Sequence, residues 1–90
     1  MQLLPQFALL NGHEGILLEW NRSVASDFSH YEIYQSYTAG GGYQSIATTK
    51  DPYYIIPAVE PGRRYYFIIY AWDKNGNRST PSDEIEIVIV

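Results

Sequence analysis

The stretch that most constrains this chain is Val59-Glu60-Pro61-Gly62-Arg63-Arg64-Tyr65-Tyr66-Phe67-Ile68-Ile69-Tyr70-Ala71. Pro-Gly ends any regular element, because proline lacks an N–H and glycine alone enters a left-handed turn without strain. The aromatic and β-branched residues that follow suit a pleated surface. With side chains alternating across a strand, Tyr65, Phe67, Ile69 and Ala71 share one face, and Tyr66, Ile68, Tyr70 and Trp72 share the other. One face has a core to enter. The other is apolar as well, which is unusual for a sheet surface.

The rest of the chain repeats this pattern in shorter pieces. Strands are expected over 7–10, 16–20, 30–36, 43–48, 53–56, 65–72 and 84–90, each bounded by turn residues, with no convincing helical period anywhere. Pro5 ends pairing ahead of the first strand. Ile16, Leu18 and Trp20 face inward, as do Tyr31 and Ile33, Ile46, and the Ile85-Ile87-Ile89 series. Between them lie a turn over 11–15, a polar loop over 21–29, the Gly40-Gly41-Gly42 reversal, a break at Lys50-Asp51-Pro52, and an Asn75-Gly76 turn that accepts positive φ readily.

Ninety residues suffice for one domain, near the lower limit of what an apolar core supports, so 1–90 is taken as a single domain. Nine Tyr, three Phe and two Trp favour sheet. With no cysteine there is neither a disulfide frame nor thiolate chemistry. A net charge of −4 argues against a nucleic-acid footprint and against anionic membrane surfaces. Met1-Gln2-Leu3-Leu4-Pro5 lacks the basic start and apolar run of a signal peptide, and no stretch is long enough for a membrane helix. No membrane insertion is expected, and the chain reads as an excised module of a larger protein.

Four groups of residues bear a family resemblance: Leu18-x-Trp20, Tyr31-x-Ile33, Val59-x-Pro61-Gly62-x-x-Tyr65, and Phe67-x-Ile69-x-Ala71. Together they resemble a fibronectin type III domain over about residues 5–90. The resemblance implies an all-β, seven-stranded antiparallel immunoglobulin-like β-sandwich. It also implies that Trp20 sits at the centre of the core, and that Tyr65 closes the corner before its strand by donating its hydroxyl to nearby backbone. Tyr31, Ile33, Phe67 and Ile69 complete the implied core. The runs over 27–34 and 70–79 resemble modules of bacterial secreted enzymes, carbohydrate-active ones among them, and of surface proteins, where such domains are spacers or accessories, and this implies an extracellular or cell-surface setting. Val59 stands where the family usually has Leu. The Arg-Gly-Asp tripeptide of some members is missing, so integrin adhesion is not implied.

The outer face of the sheet built from the family's C, F and G strands is the candidate binding surface: Tyr34, Tyr66, Ile68, Tyr70, Trp72 and Val88, with Glu32, Glu84, Glu86 and Val90 beside them. Residues two apart on a strand are roughly 6.5–7 Å apart, so Tyr66 to Trp72 forms a ladder about 20 Å long. A protein contact, with a neighbouring domain or a partner, explains an apolar patch of that size. The bland alternative is cross-strand pairs that stiffen the sheet by roughly 0.2–1 kcal/mol each. A third reading is a platform for polysaccharide, which needs exposed, nearly coplanar rings. The loops 21–29 and 73–81 should share one end of the sandwich and would carry the function of an engineered binding scaffold. Phe28, their one aromatic, is expected to tuck under its loop.

Catalysis has no foothold in this sequence. Asp73-x-Asn75-Gly76-Asn77 begins like a calcium loop but lacks the later ligands, and a turn already explains it. His13 and His30 stand apart without clustered ligands, so no metal or cofactor is expected. There is no Gly-x-Ser-x-Gly elbow. The sequons Asn21-Arg22-Ser23 and Asn77-Arg78-Ser79 lie in loops and are read as chance. Ile87-Val88-Ile89-Val90, an uncharged β-prone run near an edge, is a self-association risk checked only by Glu84 and Glu86.

Overall fold

The computed structural model describes residues 6–10, 15–57 and 59–89, with the backbone alone for 6–10. The expected turn over 11–15, all but its last residue, lies outside the described residues, as do His13 and Val90. The strands are β1 (Gln6–Leu10), β2 (Gly15–Glu19), β3 (Phe28–Ser36), β4 (Gln44–Thr49), β5 (Tyr53–Pro57), β6 (Arg64–Asp73) and β7 (Ile85–Val88). They form two antiparallel sheets, ordered β1-β2-β5 and β4-β3-β6-β7.

Alternation dictates what each strand buries. Ile16, Leu18 and Trp20 on and just beyond β2, with Ile56 of β5, meet Tyr31 and Ile33 of β3, Tyr65, Phe67, Ile69 and Ala71 of β6, and Ile87 and Ile89 from the β7 end in one buried cluster. Side chains from both sheets therefore share a core. Within it the Trp20 ring stands edge-on to Tyr31, centroids 5.3 Å apart at 75°, and Phe28 lies against Tyr31 at 4.6 Å. Phe28 thus opens β3 and packs on the core beneath its loop. Burying side chains of this size stabilises by roughly 1.5–3 kcal/mol each. The Trp20 Nε1–H is buried without a hydrogen-bond partner.

The turns follow from their residues. Gly62 has φ 77° and its N–H donates to Ile89 O at 2.7 Å, tying the Pro-Gly corner to the end of the chain. In the turn after β6 the Asp73 carboxylate accepts the N–H groups of Asn75 and Asn77, both at 2.8 Å, while Gly76 takes φ 81°.

Two expectations need correction. Ile46 does not face the core: it is 40% exposed, and Ala47 packs inward instead. The cause is a β-bulge. Ile33 pairs with Ala47 and Tyr34 with Ser45, so Ile46 is an extra residue that resets the alternation. The Tyr65 hydroxyl does meet backbone at the corner, but as acceptor, taking the Glu60 N–H at 2.8 Å.

Candidate functional site

The antiparallel register of β3 and β6 assembles the outer face. His30 lies opposite Trp72, Glu32 opposite Tyr70, and Tyr34 opposite Ile68; β7 adds Glu86 opposite Tyr66 and Val88 opposite Arg64. Each of these pairs alternates with the core pairs, so all point away from the other sheet.

Glu32 is the hub. One carboxylate oxygen accepts the Trp72 indole N–H at 3.0 Å and the Tyr34 hydroxyl at 3.1 Å, and the other accepts the Ser45 hydroxyl at 2.6 Å. Burial pushes its pKa up, but the hydrogen bonds from Ser45, Trp72 and Tyr34 and the nearby Arg78 charge outweigh that and leave it below the usual carboxylate value. The Tyr34 hydroxyl is raised by burial and by its bond to Glu32.

Arg78 caps the cluster. An isolated bridge pairs it with Trp72, and its guanidinium sits 4.0 Å above the Tyr70 ring and 5.9 Å from that of Trp72, reaching the Tyr34 hydroxyl at 3.4 Å. Cation–π contacts of this kind contribute about 0.5–1 kcal/mol at exposed sites. Tyr34 and Tyr70 meet edge to face, 5.2 Å apart at 75°, and His30 stacks on Trp72 at 6.1 Å and 12°.

The rings are therefore half-buried and tied down rather than openly displayed. Tyr66 departs furthest from the expected exposed ladder: it is 7% exposed although it lies outside the core cluster. Its hydroxyl donates to Glu86 at 2.8 Å, a bond that, with burial, raises its pKa. Ile68, Tyr34, Tyr70 and Trp72 are partly covered, and Val88 is 46% exposed. Arg78, Ser45 and His30 are members that the pattern of apolar residues did not point to. For Arg78 the signal was its place on the return from the Asn-Gly turn, opposite Trp72.

The loops 21–27 and 73–79 meet at one end, where the Lys74 N–H donates to Asp27 O at 2.8 Å. Between them is a pocket of about 220 Å³ lined by Phe28, Trp72, Asp27 and Asn77 among others. Among the described residues no group of three or more His, Cys, Asp or Glu is arranged to hold a metal, and no helix is long and apolar enough to cross a membrane. Asp73 is occupied by its own turn, which lowers its pKa through the Asn77 N–H first of all.

Residues 11–82 match the family described as PBP1-like, fibronectin3-like domain. An amylopullulanase of Thermoanaerobacter thermohydrosulfuricus is 31% identical over 86 residues; the match takes in 94% of this chain but only 6% of that protein. Among solved structures, an Fn3-like protein from Clostridium thermocellum is similar with a TM-score of 0.79 and 26% identity, over 96% of this chain and 88% of that one. Pectate lyase PelI from Erwinia chrysanthemi, in complex with tetragalacturonic acid, has a TM-score of 0.81 over 96% of this chain and 28% of its own; at 15% identity the likeness is one of fold.

Proposed function

The chain belongs to the PBP1-like, fibronectin3-like domain family, and from that premise we propose that it is a seven-stranded immunoglobulin-like β-sandwich acting as a non-catalytic module of a longer secreted or cell-surface protein. It is one rigid domain that spaces its neighbours and docks one of them, or a protein partner, on the outer face of β3, β6 and β7. The observation that carries this reading is the fixed Tyr34-Tyr70-Trp72 cluster held between Glu32 and Arg78. Tyr, Trp and Arg dominate the energetics of protein interfaces. Rings already held in place lose little conformational freedom on contact, which favours affinity. Ile68 and the exposed Val88 supply an apolar centre, with Glu84 and Glu86 at its rim.

A polysaccharide accessory role is the second reading. Its support is the likeness to an amylopullulanase, of which the chain spans 6%. The geometry of the face weighs against a sugar platform there, because Tyr34 and Tyr70 stand at 75° rather than in one plane.

The deciding experiment follows the indole N–H signals of Trp72 and Trp20 by nitrogen–proton NMR. Docking predicts that the Trp72 signal shifts when flanking domains are attached while Trp20 stays put, and that Tyr70→Ala with Arg78→Ala abolishes the shift. A Trp72 signal unchanged by neighbours but moved saturably by soluble polysaccharide would replace the docking reading with the accessory one.

A further inference from the structure

One end of the outer face is covered by the chain itself. Segment 37–43 joins β3 to β4, yet it is fastened to Glu84, next to β7, on the far side of the sheet. The Glu84 carboxylate accepts the Gly40 N–H at 2.9 Å and the Tyr43 hydroxyl. In the order β4-β3-β6-β7, with strands spaced about 4.8 Å, the two outer strands lie about 14 Å apart. The segment must therefore cross β3 and β6 to reach its anchor. Tyr66 lies at the end it crosses, opposite Ser36, the last residue of β3. This crossing accounts for a ring that is 7% exposed without belonging to the core. The Tyr66 hydroxyl is also near enough to Tyr43 to help raise the pKa of its phenol, after burial and the Glu84 bond.

The segment is built to hold one shape with little burial. Ser36 Oγ accepts the Thr38 N–H at 2.9 Å and donates to Thr38 O at 2.8 Å, with Gly41 O also in reach. Gly40 and Gly42 take φ values of 73° and 71°, where other residues would be strained. Tyr37 anchors the β3 end of the segment, its ring 5.6 Å from that of Tyr65 and 4.5 Å from the Arg63 guanidinium, while residues 38–40 and 42 are exposed, so lifting the rest of the segment sacrifices few apolar contacts.

We propose that segment 37–43 is a latch over the Tyr66 end of the docking face, held shut by Glu84 and released when the docking partner presents a lysine or arginine to that carboxylate. The latch rests on the geometry alone; its role as a gate rests on the docking reading. Both groups that hold Glu84 are neutral donors. A lysine or arginine brings the full positive charge that both lack, and the added Coulomb attraction to the carboxylate displaces them. The surroundings select for such a partner. Glu84 and Glu86 are both exposed, Arg78 is committed to Tyr70 and Tyr34, and the chain carries a net charge of −4. The surface that fits is basic around an apolar centre.

Two readouts on this chain test the proposal: amide exchange at Gly40, and nitration of Tyr66 by tetranitromethane located by peptide mass spectrometry. Glu84→Gln and Tyr43→Phe should each raise both by about tenfold, the loss of one hydrogen bond to a charged group, with a melting transition that stays cooperative and falls by only a few degrees. A soluble peptide of alternating lysine and valine should raise both in the parent, whereas one of alternating glutamate and valine should not. Tyr66 as protected in Glu84→Gln and Tyr43→Phe as in the parent overturns the latch. Opening in the variants without a response to the basic peptide overturns the cationic trigger. A Trp72 signal unmoved by flanking domains but moved saturably by soluble polysaccharide would sink the docking reading and leaves these two readouts unaffected.

Discussion

The backbone N–H of Glu60 donates to the hydroxyl of Tyr65 at 2.8 Å, five residues along the chain, and this bond holds the corner from which β6 starts. The Tyr65 ring is 4% exposed and stacks near Phe67, so the same side chain anchors the corner and begins the core series. Tyr65→Phe keeps the ring and removes the acceptor. We expect it to lower stability by about 1 kcal/mol, read as a reduced urea midpoint at unchanged slope. An unchanged midpoint would mean that water replaces the hydroxyl at the corner.

Trp20 carries a larger share. It is the side chain of β2's end that reaches Tyr31 across the two sheets. Trp20→Ala should cost about 3–5 kcal/mol, enough to leave a domain of this size marginal. Trp20→Phe should cost clearly less, because it keeps an aromatic body and deletes an indole N–H that has no partner. Equal losses in the two variants, measured by chemical denaturation, would show that the indole N–H is satisfied after all.

The inward series of β2, β3, β6 and β7 was legible because a period of two is a strong signal wherever one face is buried. It failed at Ile46, where a bulge adds a residue and no residue type announces it. The outer face was legible in its membership and not in its state. Tyr66, Ile68, Tyr70 and Trp72 do point away from the core, but alternation along one strand says nothing of what covers them. Glu32, Arg78 and Tyr43 reach these rings from other strands and turns: Glu32 and Trp72 are 40 apart in sequence, and Arg78 and Tyr34 of the same cluster are 44 apart. The register between strands fixes those contacts, and the spacing within a strand does not contain it.

Acid should weaken the domain through Glu32. Its folded pKa lies below the ordinary value of 4.5, where burial opposes and the bonds from Ser45, Trp72 and Tyr34 prevail. A depressed folded value means that the stability it adds is present above 4.5 and is lost as the pH falls through the folded pKa. Glu84 shifts in the same direction, first through Tyr43. Glu32→Gln should therefore flatten part of the acid limb of a stability-against-pH curve while leaving the limb contributed by Glu84. If the curve of the variant runs parallel to the parent over the whole acid range, the Glu32 hub does not stabilise the fold.

The facing of β7 gives the sharpest contrast between neighbouring residues. Ile87 is 2% exposed and Val88 is 46% exposed, so a charge is tolerated at one position and not at the other. Val88→Lys should change stability by no more than about 0.5 kcal/mol. It should also raise solubility, because a lysine on the outer strand blocks edge-to-edge pairing of the uncharged run that ends the chain. Ile87→Lys should unfold the domain, since it buries an unpaired ammonium in the core. The two are compared by thermal melting and by light scattering at rising concentration. A loss of several kcal/mol in Val88→Lys would place Val88 in the core and reverse the assigned facing of the strand. A stable but equally aggregating Val88→Lys would instead move the self-association to another edge, and β5, with Tyr53 and Ile55 nearly half exposed, is the next to test.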